Sequence, residues 1–203
     1  MRAALMMLTM LSGLALAGGT AAQQTPSDSL CEAMTSGNVD GLADLLKRGL
    51  DPNAVNSVGE TSLTCTIQQM LFEENAAAQI RAMQFLLEHG AKVDGPDAKG
   101  NTPLVVAAGN GGNRDQRDGQ VAVVKLLLDK GANVNAADTA LHITALHLAA
   151  FRGYTASIKL LLAHGADRRL RNTYGETPLD MMAQNPVLDA DKAKEVKALL
   201  TAP

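Results

Sequence analysis

The feature that most constrains this sequence is a pair of motifs that recur together along it. A Leu-Leu-x-x-Gly motif advances by 41, 41 and 34 residues and ends at Gly49, Gly90, Gly131 and Gly165. A second motif, Thr-x-Leu, advances by 41, 42 and 33 residues, with its leucines at Leu63, Leu104, Leu146 and Leu179. Two motifs that advance together indicate a chain of similar structural units rather than a single globular core.

Local signals predict two helices within each unit. Thr102 can cap the first helix by accepting a backbone N–H, and Pro103 suits the first helical position, where its missing N–H costs nothing. Leu104 and the alanines after it share one helical face, and a valine–leucine stripe follows on the second helix. Gly131 ends that second helix in a conformation that glycine adopts readily. Since no unit can bury these faces alone, stability must come from stacking.

The most complete unit begins with Thr144-Ala-Leu-His-Leu-Ala-Ala-Phe-Arg-Gly153, and Gly165-Ala-Asp167 follows its second helix. On these positions the sequence resembles the ankyrin-repeat family. The resemblance implies an all-α ankyrin-repeat solenoid over residues 28–201, with about five helix-turn-helix units and β-turn fingers. We place the units at about 28–57, 58–98, 99–138, 139–172 and 173–201. The first and last depart most from the motif, which fits the polar caps of a solenoid.

The N-terminal residues have the order of a secretory signal peptide. Arg2 supplies a positive charge, residues 3–17 form an apolar run, and small residues lead to possible cleavage sites after Ala17 or Ala22. We favour Ala22, which gives a signal peptide over residues 1–22 and a linker over 23–27. The alternative is a membrane anchor, but the run is shorter than the roughly 20 apolar residues that a spanning helix needs. We therefore expect export, and a periplasmic location if the source is a Gram-negative bacterium.

The two cysteines, Cys31 and Cys65, are candidates for a disulfide because export and an even count favour pairing. Stacked helices lie about 8–10 Å apart axis to axis, whereas a disulfide needs Cα atoms within about 7 Å. The two cysteines are also one position out of step in the repeat alignment, so the sequence leaves the pairing open.

Composition argues against several classes of function. A net charge of −3 gives no basic field for nucleic acid. The four histidines form no His-Glu-x-x-His pattern, and no metal-binding, nucleophile or phosphate-binding motif is present. We therefore expect no metal, no cofactor, no catalytic residue and no enzyme activity. For His147, the resemblance implies a hydrogen bond to a finger rather than catalysis.

Departures from the repeat suggest where a partner binds. The finger of unit four has one residue more than its neighbours and no glycine, and it carries Leu141 and Ile143. Together with Phe151 and Tyr174 these residues could form an exposed apolar patch of the kind that marks interfaces. The alternative is that Leu141 and Ile143 fold back against the neighbouring finger.

Units two and three also exceed the standard length by about eight residues. The extra residues near 71–77 read as an extended helix, and those over 109–119 read as a surface loop. Either insertion is a tolerated surface feature or a partner contact on the edge opposite the fingers.

We predict a periplasmic, monomeric, non-enzymatic module that binds another protein through its concave finger and first-helix surface. By resemblance, such small exported proteins support a periplasmic enzyme such as a catalase, or neutralise a secreted toxin in the manner of an immunity protein. A third possibility is a structural envelope protein without a specific partner. The candidate contact residues are Glu60, Lys99, Asn101, Leu141, Ile143, Phe151, Arg152, Tyr174 and Glu176.

Overall fold

The computed structural model describes residues 25–69, 76–110 and 117–201. The predicted signal peptide and most of both predicted insertions lie outside these residues. Ten α-helices occupy the described ranges, and they are α1 (Pro26–Thr35), α2 (Val39–Lys47), α3 (Ser62–Gln69), α4 (Ala76–Glu88), α5 (Pro103–Gly109), α6 (Arg117–Asp129), α7 (Ala145–Arg152), α8 (Thr155–Ala163), α9 (Pro178–Ala183) and α10 (Ala190–Thr201).

The helices form two layers, as expected for an ankyrin-repeat solenoid. The first helix of each unit packs on the first helices of its neighbours, in the order α1, α3, α5, α7 and α9. The second helices α2, α4, α6, α8 and α10 contact one another in the same order on the other side. Buried leucines and alanines fill the space between the layers. Small residues keep the first helices close: a Cβ added at Gly109 would lie 2.7 Å from Leu148 Cδ1.

Threonine caps begin the first helices, as the sequence predicts. Thr102, Thr144 and Thr177 each accept a hydrogen bond from the backbone N–H three residues later. At the N-terminal end Thr25 caps α1 in the same way, and the Asp28 carboxylate bonds back to Thr25. Because of this capping box α1 begins at Pro26, within the 23–27 segment predicted as a linker.

Four finger turns project between the units, at residues 56–60, 97–101, 138–143 and 172–176. They are joined by backbone hydrogen bonds: Ala98 donates to the Gly59 carbonyl at 2.8 Å, Thr139 to Gly100 at 3.3 Å, and Thr173 to Leu141 at 2.9 Å. Each finger is therefore bonded to the next through its main chain, and these bonds leave the side chains of the turns free for other contacts.

The first residue of every finger is an Asn or Asp whose side chain shapes the turn. The carboxylate of Asp97 accepts the backbone N–H groups of Lys99 and Asn101, at 2.9 and 2.8 Å. Asn56, Asp138 and Asn172 make equivalent bonds in their own fingers. These local bonds satisfy the turn backbone without a longer β-ladder, and only isolated bridges such as Val55–Thr61 occur in the described residues.

Candidate functional site

The exposed side chains of the finger turns form a row along the solenoid. Val58 is 67% exposed, Leu141 38% and Tyr174 72%, and Lys99 is exposed between the first two. We call Val58, Lys99, Leu141 and Tyr174 the finger-tip row. Three of the five large hydrophobic side chains exposed in the described residues belong to this row, so exposed apolar surface is concentrated on the fingers.

Val58 is not among the contacts predicted from the sequence, although its position in the repeat is recognisable there. Val58, Lys99 and Tyr174 each immediately precede a finger glycine, Gly59, Gly100 or Gly175. The structure shows that this position points away from the solenoid in every finger that has the glycine. A repeat alignment that ranked this column by apolarity would have selected Val58 together with Tyr174.

The last residue of each finger turns inward instead. Glu60, Asn101, Ile143 and Glu176 are all half-buried. The Asn101 amide donates to both carboxylate oxygens of Asp97, at 3.2 and 3.0 Å. The Asn101 side chain therefore helps to shape its own finger, and these four predicted contacts are less exposed than the finger-tip row.

Glu176 shows this inward role most clearly. Its carboxylate accepts the side-chain amide of Asn172 at 2.9 Å and also that of Gln184. These two hydrogen bonds, Asn172 first, stabilise the charged form and lower the pKa of Glu176 below its usual value. Glu176 thus connects the fourth finger to Gln184 at the end of α9 by hydrogen bonding.

The finger of unit four forms its turn without a glycine. His142 adopts a positive φ of 54°, the only non-glycine residue of the described chain that does so. The Asp138 carboxylate gathers the backbone N–H groups of Ala140, Leu141 and Ile143, at 2.9, 2.6 and 2.9 Å. The sequence left open whether Leu141 and Ile143 are exposed or fold back against the neighbouring finger. In the structure Leu141 is exposed, whereas Ile143 is half-buried.

Phe151 and Arg152 lie away from the finger tips. Both belong to the last turn of α7, and a rise of 1.5 Å per residue puts Phe151 about 9 Å along the helix from Ala145. The Phe151 carbonyl accepts a hydrogen bond from the Asn185 side chain of the last unit. Phe151 therefore lies at the end of α7 that contacts the α9–α10 connection, whereas Leu141 and Tyr174 lie on fingers.

His147 links α7 to the fourth finger from a fully buried position. The backbone N–H of Thr144 donates to Nδ1 at 3.2 Å, and Nε2 lies 3.0 Å from the Glu176 carbonyl oxygen. Because Nδ1 accepts, Nε2 carries the proton and donates to Glu176. Burial lowers the pKa of His147, with the Glu176 carbonyl opposing this shift. The neutral imidazole is thus a structural connection.

A groove and a disulfide mark the N-terminal end of the solenoid. Cys31 and Cys65 form a disulfide between α1 and α3, with Cα atoms 6.0 Å apart. The two positions meet because neighbouring first helices pack closely at these residues. Beside the disulfide, an open groove of about 530 Å³ lies between α1, the first finger and Gln69. Its walls include the carboxylates of Asp28 and Glu32.

Asp28 connects the first helix to the first finger. Its Oδ1 accepts the backbone N–H and the hydroxyl of Ser57, at 3.0 and 2.9 Å. The Ser57 N–H bond and then the Thr25 N–H bond lower the pKa of Asp28 to about 2. The carboxylate therefore stays ionised across the physiological range. It accepts the Ser57 N–H, whereas the equivalent N–H of each later finger donates to the finger before it. At the other end of the four fingers the Arg171 guanidinium donates to the Gly175 carbonyl.

Within the described ranges, no group of three or more His, Cys, Asp or Glu side chains has a metal-binding arrangement. None of the helices that the structure describes combines the length and the apolar character needed to cross a bilayer.

Comparison with known proteins identifies the repeat. A family model described as ankyrin repeats (3 copies) matches residues 30–138 and, in a second overlapping match, residues 116–201. The two matches together span all ten helices except the first residues of α1. The sequence has no significant match among the curated proteins.

Proposed function

The chain belongs to the ankyrin-repeat family, whose members are generally protein–protein interaction modules, and on this premise we propose that it is a non-enzymatic periplasmic module that binds a partner protein. The observation that carries the proposal is the finger-tip row, where Val58, Leu141 and Tyr174 expose apolar surface in a line. Exposed apolar surface rimmed by polar residues is typical of protein interfaces, and a tyrosine with a large exposed fraction is a typical anchor.

The scaffold suits binding because hydrogen bonds hold the finger turns in place before a partner binds. Backbone bonds link each finger to the next, and Asn or Asp side chains satisfy the turns from within. A surface that is ordered before binding loses less conformational entropy when a partner docks. The finger-tip row can therefore bind without a preceding folding step.

Two features support the periplasmic part of the proposal. The leader pattern of residues 1–22 is that of an exported chain, and disulfides such as Cys31–Cys65 persist in oxidising compartments. The location is tested by fractionating cells that express the full chain. Recovery of a shortened chain in the periplasmic fraction supports export, and full-length chain that stays in the cytosol contradicts it.

The binding surface is tested by co-purification from periplasmic extract. We compare wild type with a Val58→Asp/Tyr174→Ala variant, and use Val187→Asp as the matched control. Val187 is 87% exposed in the α9–α10 connection, away from the fingers, so its substitution adds the same charge elsewhere. Loss of one defined partner from the finger variant alone supports the proposal, whereas equal recovery by all three proteins contradicts it.

The identity of the recovered protein distinguishes the remaining possibilities. An enzyme such as a catalase, whose activity falls when this protein is deleted, supports the enzyme-support role. A secreted toxin that this protein inhibits supports the immunity role. If no partner is recovered in stoichiometric amount and deletion alters only the envelope, the structural role is favoured.

A further inference from the structure

We propose that the finger-tip row recognises a partner segment that carries an acidic side chain flanked by apolar ones. This inference rests on the proposed function and adds the chemistry of the partner. It follows from the way in which the fingers hide their carboxylates and expose a lysine.

Three of the four carboxylates in the finger turns are held by hydrogen bonds within the protein, and two of these three are buried. Asp97 and Asp138 are buried, and both are used by backbone N–H groups of their own turns. Glu60 and Glu176 are half-buried, and Glu176 is held by two side-chain amides. The acidic residues of the fingers are therefore less exposed than the tips, although the chain as a whole has a net charge of −3.

Lys99 is the one lysine within the four finger turns, and it is exposed. Within the described residues, Lys47, Lys125, Lys130 and Lys159 each have a carboxylate at salt-bridge distance. No described carboxylate lies at that distance from Lys99. The second finger, which carries Lys99, is bonded to the first finger through Gly59 and to the third through Thr139. The finger that carries Lys99 therefore lies between the fingers that expose Val58 and Leu141.

A partner that covers Val58 and Leu141 must also cover Lys99. Burial of an unpaired ammonium group carries a large desolvation penalty, whereas an opposing carboxylate offsets it. An acidic side chain is therefore accepted, while a basic one at the same place is rejected by repulsion. Because the whole chain is acidic, this preference acts at short range and does not depend on long-range attraction of an acidic partner.

The test uses selected peptides, since the natural partner is unidentified. A random twelve-residue display library is panned against the mature, disulfide-bonded chain, and clones that bind the Val58→Asp/Tyr174→Ala variant equally well are removed. The remaining clones are then compared with unselected clones. We expect enrichment of Asp or Glu close to Leu, Val or aromatic residues. Enrichment of Lys or Arg, or no preference for acidic residues, would overturn the inference.

Charge reversal tests the same pairing directly. For a synthetic peptide made from an enriched clone, we expect Lys99→Glu to raise the Kd about tenfold or more, which corresponds to about 1.4 kcal/mol. Lys197→Glu is the matched control, because Lys197 is exposed on the second-layer helix α10. Replacing the acidic residue of the peptide by Lys should restore binding to the Lys99→Glu variant.

The outcomes separate this inference from the proposed function. If peptide binding is lost in the Val58→Asp/Tyr174→Ala variant but unchanged by Lys99→Glu, the finger-tip row is the interface and the acidic partner is wrong. If no selected clone depends on Val58 and Tyr174, the interface itself is wrong. Equal effects of Lys99→Glu and Lys197→Glu would show a response to net charge only and would also overturn the inference.

Discussion

Removal of the Cys31–Cys65 disulfide should weaken the N-terminal unit far more than the rest of the solenoid. The two cysteines are 34 residues apart in sequence. The chain-entropy relation for a closed loop of that length gives a stabilisation of about 4 kcal/mol at 25 °C. Since whole domains are stable by about 5–15 kcal/mol, the loss is a large part of the total. Replacement by alanine suits both positions because Cys31 and Cys65 are buried.

The position of the disulfide predicts where this loss appears. In a repeat array each unit contacts only its neighbours, so an end unit can open by itself. The disulfide ties α1 to α3 across the first interface of the array. Without it, α1 and α2 can separate from α3 and α4 while the later helices stay folded. The bond from Ser57 to Asp28 would open with them.

Two measurements check this prediction. Urea unfolding followed by far-ultraviolet circular dichroism should give a free energy of unfolding that is lower by up to about 4 kcal/mol in Cys31→Ala/Cys65→Ala. Hydrogen exchange should show faster exchange confined to residues 26–47, the span of α1 and α2. Wild type treated with reductant is the control and should behave like the variant.

Some results would refute the reasoning. A change in the free energy of unfolding below about 0.5 kcal/mol would show that the disulfide constrains little. Faster exchange spread evenly over all units would show that the array unfolds as one cooperative body. Two free thiols in protein purified from the periplasm, detected by mass spectrometry without reductant, would show that the bond does not form.

Three further predictions concern His147, Gly100 and His142. The pKa of His147 is lowered in the folded chain, so the unfolded state binds a proton first as the pH falls. The free energy of unfolding should decrease below about pH 6.5, with a slope of up to about 1.4 kcal/mol per pH unit until the folded pKa is reached. Urea titrations of His147→Gln should lack this component, and an unchanged slope would contradict the explanation. Gly100→Ala should destabilise by about 1–3 kcal/mol, because φ is +81° and the added Cβ would lie 1.7 Å from Thr139 Oγ1. Gly175→Ala has a φ of +78° with no atom within 4 Å, so it should cost less, and equal costs would exclude the close approach as the cause. His142→Gly should raise the stability by about 0.5–1 kcal/mol by relieving the positive φ of 54°, and an unchanged midpoint of thermal unfolding would argue against strain there.

Much of the fold could be predicted because its determinants are local. Thr102 and Thr177 cap helices through atoms three residues away, and Gly131 and Gly165 take positive φ at helix ends. Such interactions depend on short stretches of chain, so they can be recognised in sequence order. Their recurrence then indicates stacking, because no unit can bury its apolar face alone.

The site was harder to predict because exposure depends on neighbouring units. The repeat aligns the residue before each finger glycine and the last residue of each finger, as in Val58 and Glu60, but it does not give their exposure. Only the packed fingers show that Val58 points outward and that Glu60 is half-buried. The predicted contacts therefore mixed finger tips with residues that support the fingers.

The sequence alone therefore determined the repeat, the helix ends and the family, because each depends on contacts between residues close together in the chain. The tertiary structure decided which side chains share the finger-tip row and that the Cα atoms of Cys31 and Cys65 lie 6.0 Å apart. It also decided that the finger carboxylates of Asp97 and Asp138 are buried. These properties depend on distances between residues of different units or turns, and such distances are set only when the units stack.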